Sequence, residues 1–287
     1  MDKLVRHITR LGPRNMEHKN IAFIGAGNMV RSIVAGLVAS GYPAHKITAT
    51  APSETRRQPL EADYGIRTTN DNHAAAQEAD VIVLSVKPQM MADVCKPLQC
   101  INFENKLVIS IAAGINAQRL NEMLDSQLNL VRVMPNTPSL LGKGMSGLYA
   151  DQQVNEQDKN FASQLMQAVG EVCWVEQESG INNIIAAAGS APAYFFLFME
   201  AMQAEAIKQG FDADTARKLV QQSALGAAEM VVANPNTELS TLREQVTSKG
   251  GTTAEALRTF NENQLSDIVA KAMQAAVSRA EEMEKLF

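Results

Sequence analysis

An alternation of short apolar runs with longer helical stretches fills the chain from Asn20 to Ser179, and it constrains the fold more than any other feature. The predicted strands are residues 21–24, 47–50, 80–86, 107–111, 130–134 and, as the last of them, 172–175. Several are almost continuously apolar, as in parallel strands that are covered on both faces. Because strands that alternate with helices form βαβ units, this part of the chain predicts an α/β domain with a mostly parallel sheet.

The composition changes near Ser179, after which helix-forming residues dominate. Helices are predicted at residues 194–209, 212–232, 253–260 and 264–286. We therefore expect an α/β domain at 19–178 and an all-α domain at 179–287, since domains of about 100–200 residues are typical. The alanine-rich and methionine-rich stretches of the second domain fit either an ordinary helical core or a helical dimer interface.

Residues 1–18 differ from the rest, because they are rich in basic side chains and have little apolar content. They lack the apolar core, about 7–15 residues long, of a secretory signal. Met16, followed by polar residues, fits a natural start. We expect an N-terminal extension that is either disordered or foreign to the natural chain.

Composition argues against several function classes. The net charge of −5 disfavours a general nucleic-acid surface, and the apolar runs predict no membrane span. Three cysteines, none of them in a C-x-x-C pair, fit a reduced, cytoplasmic setting. No histidine follows His73, which excludes a histidine-based metal site or general base from the second half.

A glycine-rich turn joins the first predicted strand to the first predicted helix. It consists of Gly25, Ala26, Gly27, Asn28 and Met29. This is the G-x-G-x-x-(G/A) context that binds a dinucleotide pyrophosphate, although Val30 replaces the usual small third residue. The first glycine permits the turn, the second admits the phosphate, and the helix N-terminus offers unpaired N–H groups. The alternative, a mere tight turn, fits its position after the first strand less well.

The end of the second strand indicates which nucleotide is bound. A site that prefers NAD usually has an acidic residue there for the ribose hydroxyls, whereas this chain continues through Ala51 and Pro52 to Ser53. Ser53 and Arg56, with the neighbouring Thr55 and Arg57, can hold a 2′-phosphate by charge-assisted hydrogen bonds. NADPH is the predicted cofactor, with NADH as the second choice. The alternative interpretation is a solvated arginine pair at the start of a helix.

Two further strand ends carry small or polar residues. Val86, Lys87 and Pro88 end one predicted strand, and Ala112 and Ala113 follow the next. Ligands of open α/β sheets bind outside the carboxyl ends of the strands, so we expect these residues to face the cofactor. Either segment alone fits simple strand termination.

The chain resembles pyrroline-5-carboxylate reductase in an ordered series of motifs. They are residues 25–29, 86–88, 110–114, 134–138, 189–194 and 250–253. The resemblance implies a Rossmann-type domain followed by an all-α dimerisation domain, with active sites formed where two subunits meet in a homodimer or a larger ring of dimers. It also implies that Asn72 lies at the adenosine ribose and that Glu178 lies near the substrate.

The last motif precedes a predicted helix. Two glycines and a capping threonine make a helix N-terminus suited to a small carboxylate, although taken alone such a pattern is more often a plain N-cap. With the resemblance, Gly251, Thr252 and Thr253 bind substrate, and Thr253 is the predicted catalytic residue, hydrogen-bonded to the ring nitrogen. Lys249 stands where the family usually has proline, and it either attracts the carboxylate or is solvated.

The reaction that the resemblance implies is hydride transfer from NAD(P)H to 1-pyrroline-5-carboxylate, which gives L-proline and ends proline biosynthesis. An imine is already electrophilic, so the enzyme must supply orientation and water exclusion more than a strong base. Oxidation of an alcohol usually requires a His, Lys or Tyr base. The missing histidines favour the imine. Two alternatives stay open: a β-hydroxyacid or 6-phosphogluconate-type dehydrogenase, with Lys87 as the residual candidate base, and a non-catalytic NADP(H)-binding regulator.

Overall fold

A computed structural model describes residues 16–286 of the chain. Residues 1–15 of the predicted N-terminal extension lie outside the described part, while His18 is held by a hydrogen bond from Lys46 Nζ to its carbonyl oxygen, 2.6 Å. The chain divides into two compact units. The first extends to Ser190 and also includes the residues from Ala276 onward, and the second is Ala191–Ala275.

The first unit contains one eight-stranded sheet. The strands are β1 (Ile21–Ile24), β2 (Ile47–Thr50), β3 (Arg67–Thr69), β4 (Val81–Leu84), β5 (Leu107–Ser110), β6 (Asn129–Met134), β7 (Gly144–Ala150) and β8 (Gly170–Trp174). Their order is β3-β2-β1-β4-β5-β6-β7-β8. All neighbouring pairs are parallel except β6 and β7, which are antiparallel. This confirms the predicted mostly parallel sheet.

The sheet is covered on both faces because its strand residues alternate between two apolar clusters. Ile21 and Phe23 belong to the cluster that also contains residues of the first, second and sixth helices. Ala22 and Ile24 belong to the cluster that contains residues of the third, fourth and fifth. The seven helices in chain order are α1 (Asn28–Ala39), α2 (Glu54–Tyr64), α3 (Asn72–Glu78), α4 (Pro88–Cys95), α5 (Ala117–Leu124), α6 (Glu156–Gln167) and α7 (Gly180–Ile184).

The sequence analysis did not predict two of the strands, β3 and β7. The strand predicted at 80–86 is therefore the fourth strand in chain order rather than the third. The edge strand β3 consists of Arg67 and two threonines and is only half-buried, so it lacks the apolar signal of the inner strands. The strand β7 contains Gly144 and Gly147, which weaken a strand pattern. Close packing requires them, because a Cβ on Gly147 would lie 2.5 Å from Ile184 Cγ2.

Helices account for the regular structure described in the second unit, which confirms the predicted all-α region. They are α8 (Ala191–Lys208), α9 (Ala213–Ala233), α10 (Leu239–Gln245), α11 (Thr252–Glu262) and the first part of α12 (Leu265–Leu286). The sequence did not separate α10. Ala216 and Val220 are the buried apolar residues among those described in this unit, whereas Phe195, Phe196 and many other large apolar side chains are exposed.

One helical stretch, Gly180–Lys208, is long and apolar enough by length and composition alone to cross a membrane. The sequence analysis predicted no span. Core helices of soluble proteins pass the same test, so this stretch is weak evidence for a membrane segment.

Candidate active site

The turn between β1 and α1 is fixed by the neighbouring strand ends. Gly25 has φ +124°, and a Cβ there would lie 2.9 Å from both Ser85 O and Ser85 Oγ. The Gly25 amide donates to Thr50 Oγ1 at 3.2 Å, while Ser85 Oγ donates to Ile24 O at 2.9 Å. Only glycine fits this position, where the ends of β1, β2 and β4 meet.

Gly27 has a different reason to be glycine. Its backbone is extended, with φ −82° and ψ 179°, which any residue can adopt. Apart from Gly27 itself and its two chain neighbours, no heavy atom of residues 16–286 lies within 4 Å of the position that a Cβ would take. The fold of the described chain therefore does not require glycine here, and the missing side chain leaves open space at the start of α1.

The N-terminus of α1 faces that space without a cap. Among the described residues, no side chain caps it and no acidic residue lies in its first turn. The first N–H groups of a helix lack intrahelical partners, and the helix dipole places partial positive charge beside them. An uncapped twelve-residue helix opening onto free space is a site for an anion such as a phosphate.

A cavity of about 540 Å³ continues from this helix end along the carboxyl edge of the sheet. Its lining residues are Ala26, Gly27, Asn28, Arg31, Thr55, Arg56, Pro59, Leu60 and Lys87. Three of them are cationic and none is acidic. A second cavity at the amino edge has the opposite character, with Asp80, Glu104 and Asp158 in its wall. Charge therefore favours an anionic ligand at the carboxyl edge.

The strand order places this cavity where connections diverge. From β1 the chain passes to β2 and β3 on one side and then returns to β4 on the other side. Ligands of open α/β sheets bind at such a switch point, outside the carboxyl ends of the strands. The geometry and the charge of the cavity point to the same place.

The structure brings together part of the predicted nucleotide set. Ala26, Gly27, Asn28, Arg56 and Lys87 line the cavity. Five further predicted residues do not line the cavity but lie close in the chain to residues that do. They are Gly25 and Met29 in the same turn, Ser53, which is the N-cap of α2 and lies two residues before Thr55, and Val86 and Pro88 on either side of Lys87.

The remaining three predicted nucleotide residues neither line this cavity nor lie close in the chain to a residue that does. Asn72 is half-buried at the start of α3, after the edge strand β3. Ala112 is buried and Ala113 is half-buried in the loop that follows β5, where Ser110 Oγ accepts a hydrogen bond from the Ala112 amide at 3.4 Å. Their roles stay predictions.

Arg31 was missed by sequence reasoning. It lies one helical turn after Gly27, its guanidinium pairs with the Asp63 carboxylate, and it sits 5.6 Å from the Tyr64 ring centroid. In the sequence, an arginine on a helix cannot be distinguished from any other solvated charge. The one available signal was its spacing of four residues from Gly27, which places it on the same helix face as the phosphate turn.

Glu178 is held within the first unit. Its Oε1 accepts from Arg132 Nη1 at 2.7 Å and from the Ala117 amide at 2.6 Å. The predicted contact of Glu178 with substrate is not tested by this geometry and stays a prediction.

The Gly-Gly-Thr-Thr segment in the second unit forms another uncapped helix start. Gly250 has φ +72°, and Gly251 is the N-cap of α11. A Cβ on Gly251 would lie 2.4 Å from Ser248 Oγ, a hydroxyl that can rotate away, and 3.2 Å from Ser248 O, which is a tight contact. Thr252 and Thr253 are exposed, and no described side chain caps α11. Two free hydroxyls and unpaired N–H groups can bind a small carboxylate.

Comparison with known proteins shows which protein family the chain matches. A family model described as pyrroline-5-carboxylate reductase dimerisation matches residues 178–283, and one described as NADP oxidoreductase coenzyme F420-dependent matches residues 20–114. The pyrroline-5-carboxylate reductase of Vibrio alginolyticus is 81% identical over 272 residues, which are 95% of this chain and 100% of that protein. The chain belongs to the pyrroline-5-carboxylate reductase family.

Solved structures of family members show the same fold. The pyrroline-5-carboxylate reductase of Coxiella burnetii is 42% identical with a TM-score of 0.89, and the match covers 93% of this chain and 99% of that one. The Plasmodium falciparum pyrroline carboxylate reductase, solved with NADP bound, is 28% identical with a TM-score of 0.83 and coverage of 94% and 100%. The predicted family and fold class are confirmed.

Proposed function

We propose that this family member reduces 1-pyrroline-5-carboxylate to L-proline with a hydride from NAD(P)H, which ends proline biosynthesis. The observation that carries the proposal is the uncapped start of α1 at Gly27, open to a cavity with three cations and no acid in its described lining. It occurs in a chain that matches pyrroline-5-carboxylate reductases over almost its whole length. The alternative dehydrogenase and regulator hypotheses have no comparable support.

The residues present fit a dinucleotide. We assign Gly25 to Met29 to the pyrophosphate, and Ser53 with Arg56 to a 2′-phosphate, so that NADPH is preferred and NADH is second. Asn72 is proposed at the ribose. Val86, Lys87, Pro88, Ala112 and Ala113 are proposed to complete the cofactor site. When bound, the nucleotide supplies the hydride.

The substrate carboxylate is assigned to the N-terminus of α11. Gly251 and Thr252 are proposed to bind it, with the Thr252 amide as the donor, since the Gly251 amide already donates to Ser248 O at 3.0 Å. The exposed hydroxyl of Thr253 is proposed to donate a hydrogen bond to the ring nitrogen. Such a contact orients the imine carbon without removing a proton from it. Glu178 is assigned to the substrate region on the resemblance alone.

No strong base is required for this chemistry. The imine carbon accepts the hydride, and the nitrogen keeps or gains a proton that solvent can provide. The catalytic contribution of the chain is to hold two ligands in contact and to exclude water. That role agrees with the absence of histidine after His73.

We further propose a homodimer or a larger ring of dimers in the cytoplasm, with active sites where subunits meet. The second unit exposes Phe195, Phe196 and Leu197 at 67%, 62% and 67%. Large exposed apolar patches mark interfaces. The dimerisation family model covers the same helices. We assign 19–178 to nucleotide binding and 179–287 to dimerisation and substrate.

Steady-state assays of the purified protein test the proposal. Oxidation of NADPH and of NADH is followed with pyrroline-5-carboxylate and with the six-membered piperideine carboxylate. We expect turnover of the five-membered imine and a lower KM for NADPH. Tight NADPH binding without turnover would support the regulator instead. Turnover of a hydroxy acid that is lost in Lys87→Met would support the dehydrogenase.

A further inference from the structure

Arg132 is a buried cation at the centre of the first unit that the proposed chemistry does not use. It lies on β6, is 2% exposed, and is the largest of the fully buried side chains described. Its Nη1 donates to Glu178 Oε1 at 2.7 Å and to Glu284 Oε1 at 3.2 Å. A buried charge needs such partners, because an unpaired one is strongly destabilising.

Each carboxylate lies next to a contact with the loop of residues 111–116 that joins β5 to α5, here called the β5–α5 loop. Glu178 Oε1 also accepts from the Ala117 amide at 2.6 Å, which fixes the far end of the loop. At the near end, Ser110 is in register with Arg132 across the sheet.

The middle of the loop is covered by the end of α12. Gly114 has φ +73°, and a Cβ on it would lie 2.9 Å from Met283 Cβ. Met283 precedes Glu284, whose Oε2 accepts from Asn182 Nδ2 at 3.2 Å. The same carboxylate that pairs with Arg132 therefore anchors the helix turn that packs on Gly114.

We infer that Arg132 is a positioning residue for the β5–α5 loop. It acts through Glu178 at the end of the loop and through Glu284, whose chain neighbour Met283 packs on the centre of the loop. The inference rests on the proposed function, in which Ala112 and Ala113 of this loop face the nucleotide. The last turns of α12, from Ala276 onward, belong to the first unit although they follow the second unit in the chain.

The hydrogen bonds described for the guanidinium are the two that Nη1 donates. Arg132 Nη2 and Asn182 Oδ1 are buried without a described hydrogen-bond partner. The orientation of Arg132 therefore depends on the two carboxylates at Nη1, so the loss of one should be transmitted to the loop. A loop fixed before binding spares the nucleotide the cost of ordering it.

Glu284→Gln tests the inference, because it removes one charge and keeps the size of the side chain. Glu281→Gln is the matched control, since Glu281 is exposed on the same helix. Hydrogen exchange of the 111–117 amides is measured in the nucleotide-free protein, and the NADPH Kd is measured by fluorescence titration. For Glu284→Gln we expect faster loop exchange and an NADPH Kd about tenfold weaker, the ratio that follows if the binding-competent loop population falls to about a tenth. The control should match wild type in both.

A double variant separates positioning from mere stability. Arg132→Met with Glu284→Gln removes the buried charge together with one partner, and such neutral replacements often restore stability. If the network positions the loop, the Tm recovers towards wild type while the NADPH Kd stays weak. The inference is overturned if the Kd recovers with the Tm, or if Glu284→Gln leaves loop exchange and Kd unchanged. Absence of imine turnover in the wild type would defeat the proposed function, yet loop exchange would still decide this inference.

Discussion

Replacing Gly27 by alanine should weaken nucleotide binding while leaving the stability of the fold almost unchanged. The alanine Cβ would enter open space, since no heavy atom of residues 16–286 beyond its chain neighbours lies within 4 Å, and the φ of −82° suits an L-residue. Alanine stabilises the folded protein by reducing the conformational entropy of the unfolded chain, but it is a poorer N-cap than glycine. These effects oppose each other, so we expect the free energy of unfolding to change by no more than about 1 kcal/mol.

The same methyl group should weaken nucleotide binding. A phosphate oxygen hydrogen-bonded to the helix N-terminus comes within about 2.9 Å of an amide nitrogen. A new carbon in that space demands a separation of about 3.5 Å. Displacement of the phosphate costs about 1.5–3 kcal/mol for each hydrogen bond to a charged group. One lost bond corresponds to a Kd that is weaker by about 10- to 150-fold.

Fluorescence titration with NADPH and a thermal melt of each variant check this prediction. Gly25→Ala is the contrasting control, because φ +124° and a 2.9 Å approach to Ser85 O penalise any side chain. That control should lose about 1–3 kcal/mol of stability from backbone strain. If Gly27→Ala binds NADPH like wild type, or melts as early as Gly25→Ala, the assignment of the α1 N-terminus is wrong.

Three further outcomes are expected. Arg56→Ala should raise the NADPH KM about tenfold with little change for NADH, because one charge-assisted contact is lost. The sequence analysis grouped Arg57 with Arg56, but Arg57 does not line the described cavity, so Arg57→Ala should leave the NADPH/NADH ratio unchanged. Equal effects of the two substitutions would refute the assignment. Burial opposes ionisation of Asp158, but hydrogen bonds from Lys19, Asn129 and Asn155 outweigh it and hold its pKa below the ordinary 3.8. Since the folded pKa is the lower one, the stabilisation is present at neutral pH and is lost as the pH falls through the folded pKa. Asp158→Asn should therefore lower the Tm at pH 7, by a difference that shrinks in acid; a constant difference would contradict this. If the proposed dimer forms, Phe196→Glu should shift it towards monomer in sedimentation, since burying a Phe contributes about 1.5–3 kcal/mol, whereas Lys208→Gln should not.

Much of the first unit could be predicted because its inner strands carry one dominant signal. The strands at Ile21 and Val81 are almost wholly apolar since both faces are covered, and the turn at Gly25 follows directly from the first of them. By contrast, β3 is short and polar at the sheet edge, and β7 is rich in glycine for packing reasons. Neither strand carries a pattern that single-sequence reasoning can separate from a loop.

The candidate site likewise contains residues that could be predicted from the sequence and residues that could not. Gly27 and Lys87 were found because they follow strands, and the carboxyl ends of parallel strands share one edge of the sheet. Arg31 and Arg132 were not found, because a charged side chain in a helix or strand shows no partner in the sequence. Arg132 acquires its role only through Glu178 and Glu284, which is 152 residues away in the chain.

For the second unit, the sequence could not distinguish an ordinary helical core from a helical dimer interface. Both bury apolar side chains at helical spacing, and only the partner differs. The described residues of this unit bury little beyond Ala216 and Val220 and leave Phe195 and Phe196 exposed. Apolar burial is what offsets the conformational entropy of folding, so helices with so small a core need a second surface to hold them. If the proposed dimer supplies that surface, order in this unit depends on protein concentration. The Thr253 hydroxyl would then be fixed only in the assembled protein, so kcat should fall on dilution below the dimer Kd while NADPH binding to the first unit persists.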